Sequence, residues 1–157
     1  MRSIIRRREI VADELRYAGE PAPGGIRVLS WMEWQAAAAA GTPPDPGALL
    51  LTAGDEVAAV ASHLDALHYV VIEFAKIGEG RGYSQARLLR QRYRYRRELR
   101  ARGALKRDQI LFLARCGFDA FDLDPAEDLA AAVAALDSFS VAYQGGDPSL
   151  VSLRRRA

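Results

Sequence analysis

The segment Tyr69–Phe74, YVVIEF, joins β-branched and aromatic residues in a nearly unbroken apolar run. A strand with one solvated face alternates apolar and polar side chains, whereas a run like this one is covered on both faces. Such coverage calls for helices around a parallel sheet, and the rest of the chain supplies the alternation. Ile26–Ser30 reads as a strand and Trp31–Ala40 as a helix ending near Gly41. The stretch GTPPDPGA then excludes helix through its prolines. Leu49–Thr52 is the next short strand, with a helix expected from about Asp55 to Leu67. Beyond YVVIEF come a glycine loop over 78–82, a helix from about Ser84 to Tyr93 and a strand at Glu98–Ala101. A helix over Lys106–Cys116 ends at Gly117, which can supply a left-handed cap. Phe118–Leu123 is a further strand. Asp124 and Pro125 then read as the N-cap and first position of a helix reaching about Leu136.

Five βα units in series imply an α/β fold with a mainly parallel sheet and right-handed crossovers. Two architectures fit: a partial (βα) barrel and an open doubly wound sheet. The segment ELRAR favours the partial barrel. Leu99 and Ala101 face one way while Glu98, Arg100 and Arg102 face the other, and a curved sheet can line a polar interior with such a face. An incomplete barrel leaves strand edges that a second subunit could cover, so a homodimer is expected. Residues 1–144 form a single domain in this reading. Ser3–Glu9 and Ile10–Arg16, within 1–20, can make a hairpin, and 145–157 is a loose basic tail.

With 157 residues, half of them hydrophobic and 27% charged, the chain has the make-up of one globular domain. The basic start, Met1–Arg8, is not followed by an apolar core, and no run approaches the ~20 residues of a membrane span. A soluble, cytoplasmic protein is expected. Cys116 is the only cysteine, which excludes an internal disulfide, a Cys-x-x-Cys redox pair and a four-thiolate cluster. His63 and His68 flank a helix-to-strand connection and do not suit a shared metal site, so no metal is assigned. No cofactor can be named.

Charge is concentrated instead. Residues 81–107 hold eleven of the 22 Lys and Arg residues and a single acid, Glu98, although the whole chain is only +2. The loop GEGRGYSQAR lies after a strand and before a helix, where phosphate-binding loops sit. It fits neither the dinucleotide fingerprint nor the Walker pattern. Gly80, Arg81, Gly82, Tyr83, Ser84 and Arg87 nonetheless put backbone N–H groups, a hydroxyl and two guanidiniums near one another. They define an expected site for a small oxyanion such as sulfite, sulfate or phosphate. On the following helix Arg87, Arg90 and Arg94 make a stripe. It is either a solvated face or a docking surface for an acidic partner. Interleaved arginine and tyrosine also suit nucleic acid, but the near-neutral chain and the lack of a recognition motif disfavour it. Glu73, Lys76, Glu98, Arg100, Asp122 and Asp124 lie close to the carboxyl ends of the expected strands, where α/β sites form. Glu98 or Glu73 could act as base with Arg100 stabilising an anion, or the same charges could neutralise one another as a buried network.

The segments EGRGYSQARLLR, RELRARGALKRDQ and ARCGFDAF, in that order, resemble the bacterial family of unknown function numbered nine-three-four; DSFSVAYQ at 137–144 resembles its ending. The resemblance extends over most of the chain beyond residue 48. It carries over Gly80, Arg81, Gly82, Tyr83, Ser84, Arg87, Glu98, Leu99, Arg100, Asp108, Gln109 and Asp119. Glu79, Arg97 and Ala104 depart from the usual aspartate, glycine and aspartate. The resemblance implies a place in assimilatory sulfite reduction, beside a sulfite-reductase pathway protein, under the family label of a probable oxidoreductase. Sulfite reduction needs six electrons, and the chain's residues offer no redox pair. An accessory that binds the anion therefore fits better than an electron carrier.

Overall fold

The computed structural model describes residues 2–20, 24–76 and 78–138. The chain opens with an antiparallel hairpin, β1 (Ser3–Arg6) and β2 (Glu9–Ala12), as its first sixteen residues suggested. Two short pieces follow, β3 (Leu15–Arg16) and β4 (Ile26–Arg27), paired parallel as a separate ribbon. The expected strand over 26–30 is thus divided. At Val28 the chain leaves the ribbon, and β5 (Leu29–Ser30) joins the main sheet.

Helix α1 (Trp31–Ala39) starts where Ser30 accepts a hydrogen bond from the Glu33 N–H while Glu33 reaches back to the Ser30 N–H, a reciprocal cap. Then come β6 (Gly47–Leu51), α2 (Val57–Val60) running into a 3₁₀ turn over Ala61–Ala66, and β7 (Leu67–Phe74). Helix α3 (Arg81–Arg87) begins three residues before the expected Ser84 and passes into a π-helical turn over Leu88–Arg92. After β8 (Glu98–Gly103), a 3₁₀ turn leads into α4 (Ile110–Cys116), which ends on Gly117 at φ 113°, the left-handed cap expected. Strand β9 (Ala120–Asp122) and α5 (Leu129–Ser138) complete the described fold. Asp124 and Pro125 do not open α5. Asp124 accepts from the Ala126 N–H within a turn, and Asp128 takes the N–H groups of Ala130 and Ala131 to cap the helix. The proposed tail, 145–157, lies outside the described residues.

The seven-stranded sheet runs β2-β1-β9-β8-β7-β6-β5. From β5 to β9 every strand is parallel to its predecessor and lies directly beside it. A doubly wound sheet reverses its order at a switch point, and this one does not. Consecutive order is that of a segment of a (βα) barrel. The sheet does not close: β1 turns antiparallel on β9, and β2 and β5 remain as edges.

The two faces of the sheet differ sharply. Leu49, Leu51, Val70, Ile72, Phe74, Leu99, Ala101 and Phe121 pack with Trp34, Val60, Ala86, Leu89, Ile110, Leu113 and Leu136 of the helices in the main core. Each large apolar side chain withdrawn from water there contributes about 1.5–3 kcal/mol. The other face has a smaller cluster, Leu15, Tyr17, Val28, Ala48 and Val71, where the ribbon lies over β6 and β7. Towards β8 and β9 that face turns polar. The alternation in ELRAR is realised as read: Leu99 and Ala101 enter the main core, and Arg100 points the other way.

Candidate functional site

Strand register gathers the site. Glu73 of β7, Arg102 of β8 and Asp122 of β9 are lateral neighbours in one row near the strands' carboxyl ends. Arg102 lies 3.3 Å from Glu73 and 3.4 Å from Asp122. Arg2, just before the antiparallel β1, comes within 3.5 Å of the same Asp122 oxygen. All four line a cleft of about 430 Å³ whose rim continues through Asp124 and Glu127. Asp122 is only 7% exposed. Burial drives its carboxyl above the ordinary carboxylate range, and Arg2 and Arg102 oppose that rise without cancelling it. A group so placed can exchange a proton beside two fixed cations, at the end of the sheet where α/β proteins work.

One row deeper, Arg100 is fully buried. It donates to Asp13 at 2.7 Å and through Nε to Glu98 at 2.9 Å. Burial works to raise the Asp13 carboxyl, but Arg100, the Leu15 N–H and Arg2 hold it below its ordinary value. Glu98 itself bonds Arg6 at 2.7 Å. Glu98 is the first residue of β8, as of the expected strand, and stands at its amino end, not near the carboxyl end where the site was expected; the strand runs on past the expected Ala101 to Gly103. Among the three expected catalytic residues, only Glu73 therefore lines the cleft; Arg100 and Glu98 are consumed in the buried ion network.

Tyr17 covers this network from the ribbon. Its ring lies 3.7 Å from the Arg102 guanidinium carbon and 5.1 Å from that of Arg2. The Tyr17 N–H donates to Glu20, whose other oxygen accepts from Arg2 at 2.6 Å.

The glycine-loop residues are positioned differently. Gly80 precedes α3, and Arg81, 59% exposed, reaches Glu56 at 3.4 Å. Gly82 is buried against the Phe74 ring, where an added Cβ would meet Cζ at 2.5 Å. The Tyr83 ring packs 5.2 Å from Phe74 and 4.8 Å from Phe112, and its hydroxyl accepts from Gln109 at 3.1 Å. Ser84 is exposed. Arg87 turns to α4, where its guanidinium lies over the Phe112 ring at 6.0 Å. Burial pushes the Cys116 thiol up, as suits a packed side chain. Arg81 and Arg87 therefore serve two separate neighbours, and neither lines the cleft.

The arginine stripe is divided too. Arg94 is exposed, but Arg90 is 4% exposed and donates to the carbonyls of Gly117, Tyr95 and Arg97. Among the motif acids, Asp108 is exposed. Asp119 lies before β9, accepts the Leu99 N–H at 2.8 Å and is pushed by burial to about 6. Among the described residues no group of three or more His, Cys, Asp or Glu can hold a metal ion, and no helix is long and apolar enough to cross a membrane.

A family model described as bacterial protein of unknown function, DUF934, matches residues 48–149. The chain belongs to this family. No curated protein matches it, and neither does any solved structure. The span matched to DUF934 begins at β6 and contains Glu73, Arg102 and Asp122. Arg2, Asp13 and Tyr17 come from the preceding 47 residues. Sequence reading passed over these three. The one signal was indirect and concerns Asp13: a strand face carrying Glu98, Arg100 and Arg102 needs countercharges from elsewhere, and RRREIVADELR holds the acids Glu9, Asp13 and Glu14.

Proposed function

We propose that this DUF934 protein serves assimilatory sulfite reduction as an accessory that binds a small oxyanion and exchanges a proton with it at the carboxyl-end cleft. The observation that carries this reading is the setting of Asp122, a nearly buried carboxyl between Arg2 and Arg102 at the edge of an open cleft. The two guanidiniums supply forked donors for an oxyanion, and their contacts to Asp122, at 3.4–3.5 Å, are long enough to be exchanged for better ones. Protonation of Asp122 would relieve the repulsion between carboxyl and ligand, and burial already favours that proton. Glu73 restrains Arg102 from the other side.

The sulfite context comes from the motif resemblance. The electrons of a reduction would come from a partner, since one cysteine provides no dithiol.

Calorimetric titration with sulfite, sulfate and phosphate tests the reading, on wild type and Arg102→Gln. Saturable binding of an oxyanion that Arg102→Gln weakens at least tenfold is the expected result. A wild-type protein that binds none of the three ions would end the proposal.

A further inference from the structure

Tyr17 stands behind the cleft with an unusual deficit. Its side chain belongs to a residue only 6% exposed, and its hydroxyl meets no hydrogen-bond partner among the described residues. A buried hydroxyl without a partner is destabilising, a cost that a phenylalanine of the same shape would avoid. The acceptors around it are engaged. Asp13 takes the Leu15 N–H, Arg100 and Arg2, and Asp122 faces Arg2 and Arg102. Arg100 Nη2, in the same field of charges, stands 2.8 Å from Glu98 but off the line of a hydrogen bond. Two buried donors therefore stand in this network without a well-aligned acceptor. The group that completes the arrangement is an oxygen atom.

We propose that Tyr17 is a ligand-binding residue of the cleft, its hydroxyl donating to an oxygen of a small oxyanion whose charge Arg102 and Arg2 neutralise. This rests on the reading of the cleft as the oxyanion site. The same two guanidiniums line the cleft and cover the Tyr17 ring, so an arriving anion meets them first. Tyr17 does not itself line the cleft, so contact between its hydroxyl and the anion requires these guanidiniums to shift towards the anion. Burial holds the phenol up at about 12, so it stays protonated and a donor throughout the neutral range.

The test is Tyr17→Phe beside Arg102→Gln, each titrated calorimetrically with sodium sulfite and with inorganic phosphate, and each melted without added ligand. The expected result is a Tyr17→Phe protein that melts at or above the wild-type temperature yet binds its oxyanion about 10- to 100-fold more weakly. Undiminished binding by Tyr17→Phe with loss in Arg102→Gln would remove Tyr17 from the site and leave the cleft reading standing. A clearly lower melting temperature for ligand-free Tyr17→Phe would show that the hydroxyl serves the fold, and would overturn the inference. Failure of the wild type to bind sulfite, phosphate or sulfate would remove both readings together.

Discussion

Arg100 and Asp13, 87 positions apart in sequence, meet at 2.7 Å with both side chains wholly withdrawn from solvent. The pair fastens the N-terminal segment to the middle of the parallel sheet. Breaking one side leaves a charge buried without its partner, which costs about 3–5 kcal/mol. Arg100→Met or Asp13→Leu should each lower unfolding free energy by that order in urea denaturation. The double variant should cost less than the sum of the two by at least about 1 kcal/mol. Strict additivity would mean that the pair is not coupled.

Arg90 and Arg94 are four residues apart but have different roles. Arg90→Ala strands three carbonyls, those of Gly117, Tyr95 and Arg97, and should destabilise by roughly 3 kcal/mol or more. Lysine should not restore the loss, because one ammonium cannot reproduce the planar fork. Arg94→Ala, on the surface, should stay within about 0.5 kcal/mol of wild type. Equal effects of the two changes in chemical denaturation would contradict this division.

Gly82 lies in the motif from which an anion loop was expected, yet its surroundings are the Phe74 ring and Ile72. Gly82→Ala should cost about 1–3 kcal/mol through overpacking between α3 and β7. Oxyanion affinity, measured below the melting point, should be unchanged. A stable Gly82→Ala protein with weakened binding would return the site to the glycine loop.

Asp119 gives a signed pH dependence. Its carboxyl is raised from 3.8 to about 6, mainly by burial, so between those values the folded protein holds a proton that the unfolded chain has released. The stability this contributes is complete below pH 3.8 and is lost as pH rises through about 6. Asp119→Asn cannot titrate, though it keeps an oxygen for the Leu99 N–H. Relative to wild type, the variant should therefore gain stability as pH rises from about 4 to 6.5. Asp13 acts oppositely and elsewhere: its lowered carboxyl contributes stability above 3.8 that is lost as pH falls through the folded value. A wild-type-minus-variant difference that is flat from pH 4 to 6.5 would rule out the shift at Asp119.

The sequence alone determined the parallel α/β character, since YVVIEF must be covered on both faces and the helical segments stand between short strands. It also determined the cap at Gly117 and the two unlike faces of β8, because capping and alternation act within a few residues. Tertiary structure decided where α5 begins, since Asp124 and Asp128 are both chemically able to cap and only the packing of Ala132 and Leu136 selects between them. It also decided the working end of the polar face. Glu98, Arg100 and Arg102 share one face of ELRAR, but the partners contributed by Arg6, Asp13, Glu73 and Asp122 make one an amino-end ion pair, one a buried anchor and one a cleft cation. Those partners come from remote positions. Charge pairing in a low-dielectric interior depends on distance in space, and strand order and register, not spacing along the chain, set that distance.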